Sequence, residues 1–150
     1  MKLDDYIQAV YKTASDQGDV VPLLQDAFEQ YGDATAEALL DMPELPEMSF
    51  QARYMITHAI EKIDDNPYTD MLLKKLPNME SACPRFMHFL VRRVVRSLKT
   101  YDVLLQKIPS ASQSSRAMLK DILATCQGDE KEKAEVRERC LLGLRQLDNP

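Results

Sequence analysis

A chain of 150 residues, 45% apolar and 29% charged, can bury one core of useful size, and it holds no apolar run near the roughly 18 residues a membrane helix needs. Its start, Met1-Lys2-Leu3-Asp4-Asp5-Tyr6, carries acid where a secretory leader is basic and then apolar, which points to the cytoplasm. The net charge of −5 is uneven: residues 1–75 hold 15 acids against 6 bases (net −9) and residues 76–150 hold 9 against 13 (net +4), so the first half repels nucleic acid and attracts a basic surface.

Strand alternation is absent, and apolar residues recur at helical spacing throughout. A first helix is predicted over 4–15, with Tyr6, Ile7, Val10, Tyr11 and Ala14 on one face and Gly18 past its end. Pro22 suits the first turn of a second helix, 21–31, where a missing N–H costs nothing. Gly32 closes that helix, and Asp33 is placed to cap a third, 34–41. The turn Met42-Pro43-Glu44-Leu45-Pro46-Glu47 stops it. Ser49 and Ser81 are placed to cap helices 50–65 and 82–98, broken by Asn66-Pro67 and Lys99-Thr100. Shorter helices, 68–76 and 101–108, end at Pro77 and Pro109, and the chain closes with helices 113–126 and 130–147, about nine in all.

Residues 49–77 align with 81–109 at a constant offset of 32, with 8 identities in 29 positions. Ser49, Arg53, Met55, Asp70, Leu72, Leu73, Lys75 and Pro77 recur as Ser81, Arg85, Met87, Asp102, Leu104, Leu105, Lys107 and Pro109. Ser112, Arg116 and Met118 begin a weaker third copy. Such a period indicates stacked helix pairs. The expectation is therefore a single all-α domain, 1–150, built as a short α-solenoid: an N-terminal helical cap (1–45), two 32-residue helix-pair repeats (46–110) and a degenerate third pair (111–150). The apolar arc of helix 82–98 (Phe86, Met87, Leu90, Val91, Val94, Val95, Leu98) is wide enough for a central helix covered on both sides.

No constellation carries chemistry. There is no phosphate loop, no Gly-x-Ser-x-Gly and no His-Glu-x-x-His. His58 and Glu61 can share a helix face, but two ligands make no metal site. His58-Ala59-Ile60-Glu61-Lys62 bears only a faint likeness to a phosphotransfer histidine followed by a base, and lone helical histidines usually edge a core. Cys83, Cys126 and Cys140 have neither disulfide nor zinc spacing and read as small buried residues. Neither catalytic residues, nor a cofactor, nor a metal is expected, and the chain reads as a binder rather than an enzyme. Asp64 and Asp65, at the predicted C-terminus of helix 50–65, stand where the helix dipole disfavours acid, which raises their standing as binding residues.

The repeated helix pair is similar to HEAT-type repeats over residues 46–147. Some alkylbase DNA glycosylases share that pairing, but they need an extended basic surface and base-facing aromatics, whereas this chain is acidic and lacks Trp. In size, charge and repeat pattern it resembles the α-helical immunity proteins of bacterial contact-dependent and polymorphic toxin systems. That resemblance implies tight steric inhibition of a cognate toxin domain with a basic surface, often a nuclease, with no nucleic acid or membrane as partner. The other reading is a helical adaptor or scaffold for a different protein. No family motif matches residue by residue, so the candidate partner-binding residues come from charge. They are Asp41, Glu44 and Glu47 on the Pro-rich turn, with Asp64, Asp65 and Asp70 on the first repeat. Phe89 with Arg92 and Arg96, on the polar side of helix 82–98, forms a second candidate patch, set against the plainer reading of an arginine face neutralised by neighbouring acids.

Overall fold

Among the described residues, apolar positions at helical spacing fold into nine α-helices, which with one 3-10 turn take up about 80% of those residues, and there is no strand. The computed structural model describes residues 1–44 and 48–149. The chain divides into two compact units, Met1–Asp64 and Asp65–Pro150. The division falls between the two helices of the first expected pair rather than at 45–46. Both units keep the charge contrast. The first holds 13 acids against 4 bases (net −9) and the second 11 against 15 (net +4).

In the first unit, α1 (Leu3–Ser15) buries Tyr6, Ile7, Val10 and Ala14, the stripe read from the sequence apart from Tyr11. It packs against α2 (Val21–Tyr31) and α3 (Asp33–Leu40). Gly32 joins the latter two at φ +55°, a left-handed conformation that favours glycine. The N-cap of α3 is thus Gly32, and Asp33 is already helical, because the sharp turn at Gly32 lets the helix begin at once. Thr35 donates from Oγ1 to the Ala27 carbonyl (2.9 Å), a buried tie between α3 and α2. The fourth helix, α4 (Phe50–Ile60), packs on α2 and α3, and Ser49 caps it by accepting from the Ala52 N–H at 3.0 Å.

The second unit opens with α5 (Asp65–Ala82), which departs from the expected 68–76 at both ends. Asn66-Pro67 does not break a helix but begins one. The chain turns at 61–64 instead, and Pro67 falls in the first turn, where its missing N–H is an orphan position anyway. Nor does Pro77 end the helix. Interior proline deprives the carbonyl four residues earlier of its donor, at a cost of about 3 kcal/mol. Here that carbonyl is Leu73 O, and the buried Ser115 donates its hydroxyl to it at 2.5 Å. Because α5 continues to Ala82, Ser81 caps nothing; its hydroxyl turns back to Asn78 O (3.1 Å).

The next helix, α6 (Pro84–Arg96), buries Met87, Leu90, Val91, Val94 and Val95 and is packed by α5, α7, α8 and α9, the covered central helix its arc implied. It ends at an extended Ser97 rather than at Lys99-Thr100, so α7 (Leu98–Lys107) starts earlier than expected. Leu72, Leu73, Leu104 and Leu105 are all buried, and α5 packs on α7. A 3-10 turn, Ile108–Ser110, leads to α8 (Gln113–Gln127), where Ser112 accepts from the Ser115 N–H at 3.1 Å. The last helix, α9 (Ala134–Asp148), lies along α8 and touches α6.

Ser112, Ser115 and Leu73 form one chain of hydrogen bonds, since Ser112 also donates to Ser115 Oγ at 2.9 Å. Ser115→Ala is therefore expected to cost about 1–2 kcal/mol, because it strands the proline-orphaned carbonyl in a buried place. Ser81→Ala, at an exposed site, is expected to stay within about 0.5 kcal/mol. Urea melts of the two variants compare them directly, and equal midpoints would remove the support assigned to Ser115.

Candidate functional site

The predicted acidic residues separate between the two units. Asp41 follows α3 and is exposed, Glu44 is half-buried, and Asp64 is exposed at the end of the first unit. Glu47 lies outside the described residues. Asp65 belongs to the second unit and has an internal role: its Oδ1 accepts from Thr100 Oγ1 at 2.9 Å, holding α5 to α7. Asp70 pairs with Lys107 at 3.0 Å across the same two helices. The expected oddity of Asp64 and Asp65 also disappears. They stand at the N-terminus of α5, where the dipole favours acid, rather than at the C-terminus of α4.

The arginine face of α6 is occupied from within the second unit. Arg92 donates to Asp129 at 2.9 Å and lies 3.5 Å from Glu132. Arg96 makes a two-pronged pair with Glu132, at 3.1 and 2.9 Å. These bonds hold the Glu132 and Asp129 carboxyls below the usual carboxylate range, the Arg96 and Arg92 hydrogen bonds being the largest cause in each case. They bind the loop between α8 and α9 to α6, and solvent screening keeps such exposed pairs weak. Phe89 is half-buried, with the Arg93 guanidinium 5.8 Å from its ring centre. Within the sequence-predicted patch Phe89, Arg92, Arg96, both arginines are thus paired with acids of the same unit.

Sequence reasoning missed a surface in the first unit. Phe50, Tyr54 and His58 follow one another at i, i+4, i+8 along α4, and all three are exposed, Phe50 at 73% and Tyr54 at 38%. Tyr54 and His58 stack with ring centres 6.0 Å apart and planes 8° from parallel. At the His58 end of this row, α2 and α4 flank a groove of about 460 Å³ lined by His58 together with Leu24, Phe28, Met55 and Ile63. It adjoins a second depression of about 300 Å³ at the start of α4, the two sharing Val21 and Met55. The spacing of 50, 54 and 58 is legible in the sequence, but His58 reads there as the edge of a core.

Other reactive side chains are quiet. Burial pushes the Cys140 thiol up to about 12, helped by a hydrogen bond with Cys126, so Cys140 is not set up as a nucleophile. Burial and the Arg92 guanidinium lower the His88 imidazole below its ordinary value. Among the described residues, no group of three or more His, Cys, Asp or Glu is placed to hold a metal ion, and no helix is long and apolar enough to cross a membrane. No protein-family model, curated protein or solved structure matches the chain.

Proposed function

We propose that the chain is an immunity protein that neutralises a cognate toxin domain by covering a basic surface of it, and that its helix pairs are degenerate HEAT-like repeats. The observation that carries this reading is the charge of the first unit. Its 13 acids face 4 bases, and nine of those acids, Asp41 and Asp64 among them, are exposed. Such a surface steers a cationic partner, while exposed aromatics beside it supply lasting contact. In the second unit, Asp70, Asp129, Glu132 and Asp148 pair with its own cations. Steric occlusion needs no catalytic group on the inhibitor, and a nuclease domain offers the basic surface it would cover. The action would be cytoplasmic.

The test starts with capture of the partner from the native host and its identification by mass spectrometry. Reversing Asp41, Glu44 and Asp64 to Lys is then expected to slow association at least ten-fold at low salt, within the steering range of about 10–10³. The effect shrinks as the Debye length falls to about 8 Å at physiological ionic strength. A rate and salt slope left unchanged would refute the electrostatic reading. A partner that keeps its full activity in the complex would make the chain an adaptor instead.

A further inference from the structure

We propose that the groove between α2 and α4 receives an amphipathic helix of the protein partner, with basic residues at the two ends of its apolar face. This deepens the reading above and rests on it, since it names where the partner docks. A groove walled by two helices, lined by apolar side chains and edged by an exposed ring accepts a third helix by ordinary ridge-and-groove packing. Its lining offers Phe28 and Met55, and its edge offers His58, on which Tyr54 stacks. Exposed aromatic rings next to an apolar cleft are the kind of residue that anchors interfaces.

Charge selects the occupant. Asp19 lines the depression before α2 and Asp33 lines the groove after it. Asp19 takes the Val21 N–H on Oδ1 at 3.0 Å, which fixes its carboxylate at the start of the helix. Between them α2 runs 11 residues, about 16 Å at 1.5 Å per residue. A partner helix somewhat longer than α2, with a cation near each end, meets both carboxylates while its apolar face covers Phe28 and Met55. Lys62, on the α4 side, repels a cation there and so sets the partner's basic ends toward α2. An acidic or uniformly polar helix meets an acidic unit and gains nothing from the floor.

The probe is a synthetic 16-residue helical peptide with Leu and Phe along one face and Arg at both ends of it. Two controls carry Glu in place of Arg, or the same residues scrambled. Backbone amide shifts of the full-length protein are followed during titration. The Arg-ended peptide is expected to shift Val21, Phe28, Met55 and their neighbours, with at least ten-fold tighter binding than either control. Met55→Glu is expected to weaken it at least ten-fold. Tyr54→Ala, at an exposed position that leaves the groove floor intact, is expected to weaken it about five-fold and stands in if Met55→Glu does not fold. Shifts away from the groove, equal binding of all three peptides, or no effect of Tyr54→Ala would overturn the proposal. So would a dimer of the protein alone that Tyr54→Ala abolishes, since the groove would then belong to a second copy. With the captured partner, a groove variant should speed dissociation at least ten-fold and barely change association. If the acid reversals slow association but neither groove variant alters dissociation, the groove is wrong and the electrostatic reading stands. If the acid reversals also do nothing, both fall.

Discussion

Val94→Asp is expected to unfold the second unit at neutral pH. Val94 is 2% exposed on α6, between Leu90, Val91 and Val95, which are fully buried. The helix that carries it is packed by four others, so no rotation brings position 94 to water. An ionised carboxylate buried there without a partner costs several kcal/mol, against a total stability of roughly 5–15 kcal/mol for a whole domain. Arg92 and Arg96 do not rescue it: they lie on the other side of the helix and are engaged by Asp129 and Glu132. The penalty belongs to the charged form, so it grows as pH rises above the unfolded aspartate value of about 3.9. Val94→Asn, which lacks that charge, is expected to be milder at pH 7 and to show no such pH trend. Circular dichroism melts at pH 4 and pH 7 separate the two. A Val94→Asp protein that melts like the parent would mean that α6 presents a different face to its neighbours.

The helices were legible because helix formation here follows local apolar spacing, and α6 announced its central place by the width of its arc. Helix ends were less legible wherever a tertiary contact overrode a local stop. Pro77 reads as a terminator in isolation. What lets α5 run past it is the Ser115 hydroxyl on Leu73 O, supplied from 42 residues away. Ser81, a sound cap by composition, falls two residues before the real N-cap, Cys83, because α5 runs on to Ala82. The candidate site was affected in the same way. Acid-rich and base-rich stretches are visible in composition, yet the pairing of Arg92 and Arg96 with Asp129 and Glu132 spans 36 or 37 residues and leaves no local trace. The exposed row Phe50, Tyr54, His58 has a local trace in its i, i+4, i+8 spacing, but spacing alone does not say which face of α4 meets water.

Gly143→Ala is expected to loosen α9 from the unit, although glycine to alanine ordinarily favours a helix by roughly 0.5–1 kcal/mol. The reason is the closeness of α7 and α8. A Cβ added at Gly143 would lie 2.2 Å from Tyr101 Oη and 2.8 Å from Leu123 Cδ1, well inside contact distance. Leu123 is fully buried, and Tyr101 is 1% exposed. The Tyr101 hydroxyl is held in place by donating to Arg139 O at 2.8 Å, one turn before Gly143 on the same helix. Either α9 moves outward or Tyr101 turns and abandons that bond. Overpacking of this kind costs typically about 1–3 kcal/mol, and a buried hydroxyl left unpaired costs about 1–3 kcal/mol more, so the strain outweighs the helix preference. A double-mutant cycle isolates the contact. In the parent, Tyr101→Phe should cost on the order of 1 kcal/mol, the worth of its hydrogen bond. In the Gly143→Ala background the same change removes the clashing oxygen, so it should restore stability, reversing sign. If Gly143→Ala instead raises the melting temperature, or if Tyr101→Phe is equally harmful in both backgrounds, α9 does not rest on Tyr101 as closely as Gly143 permits.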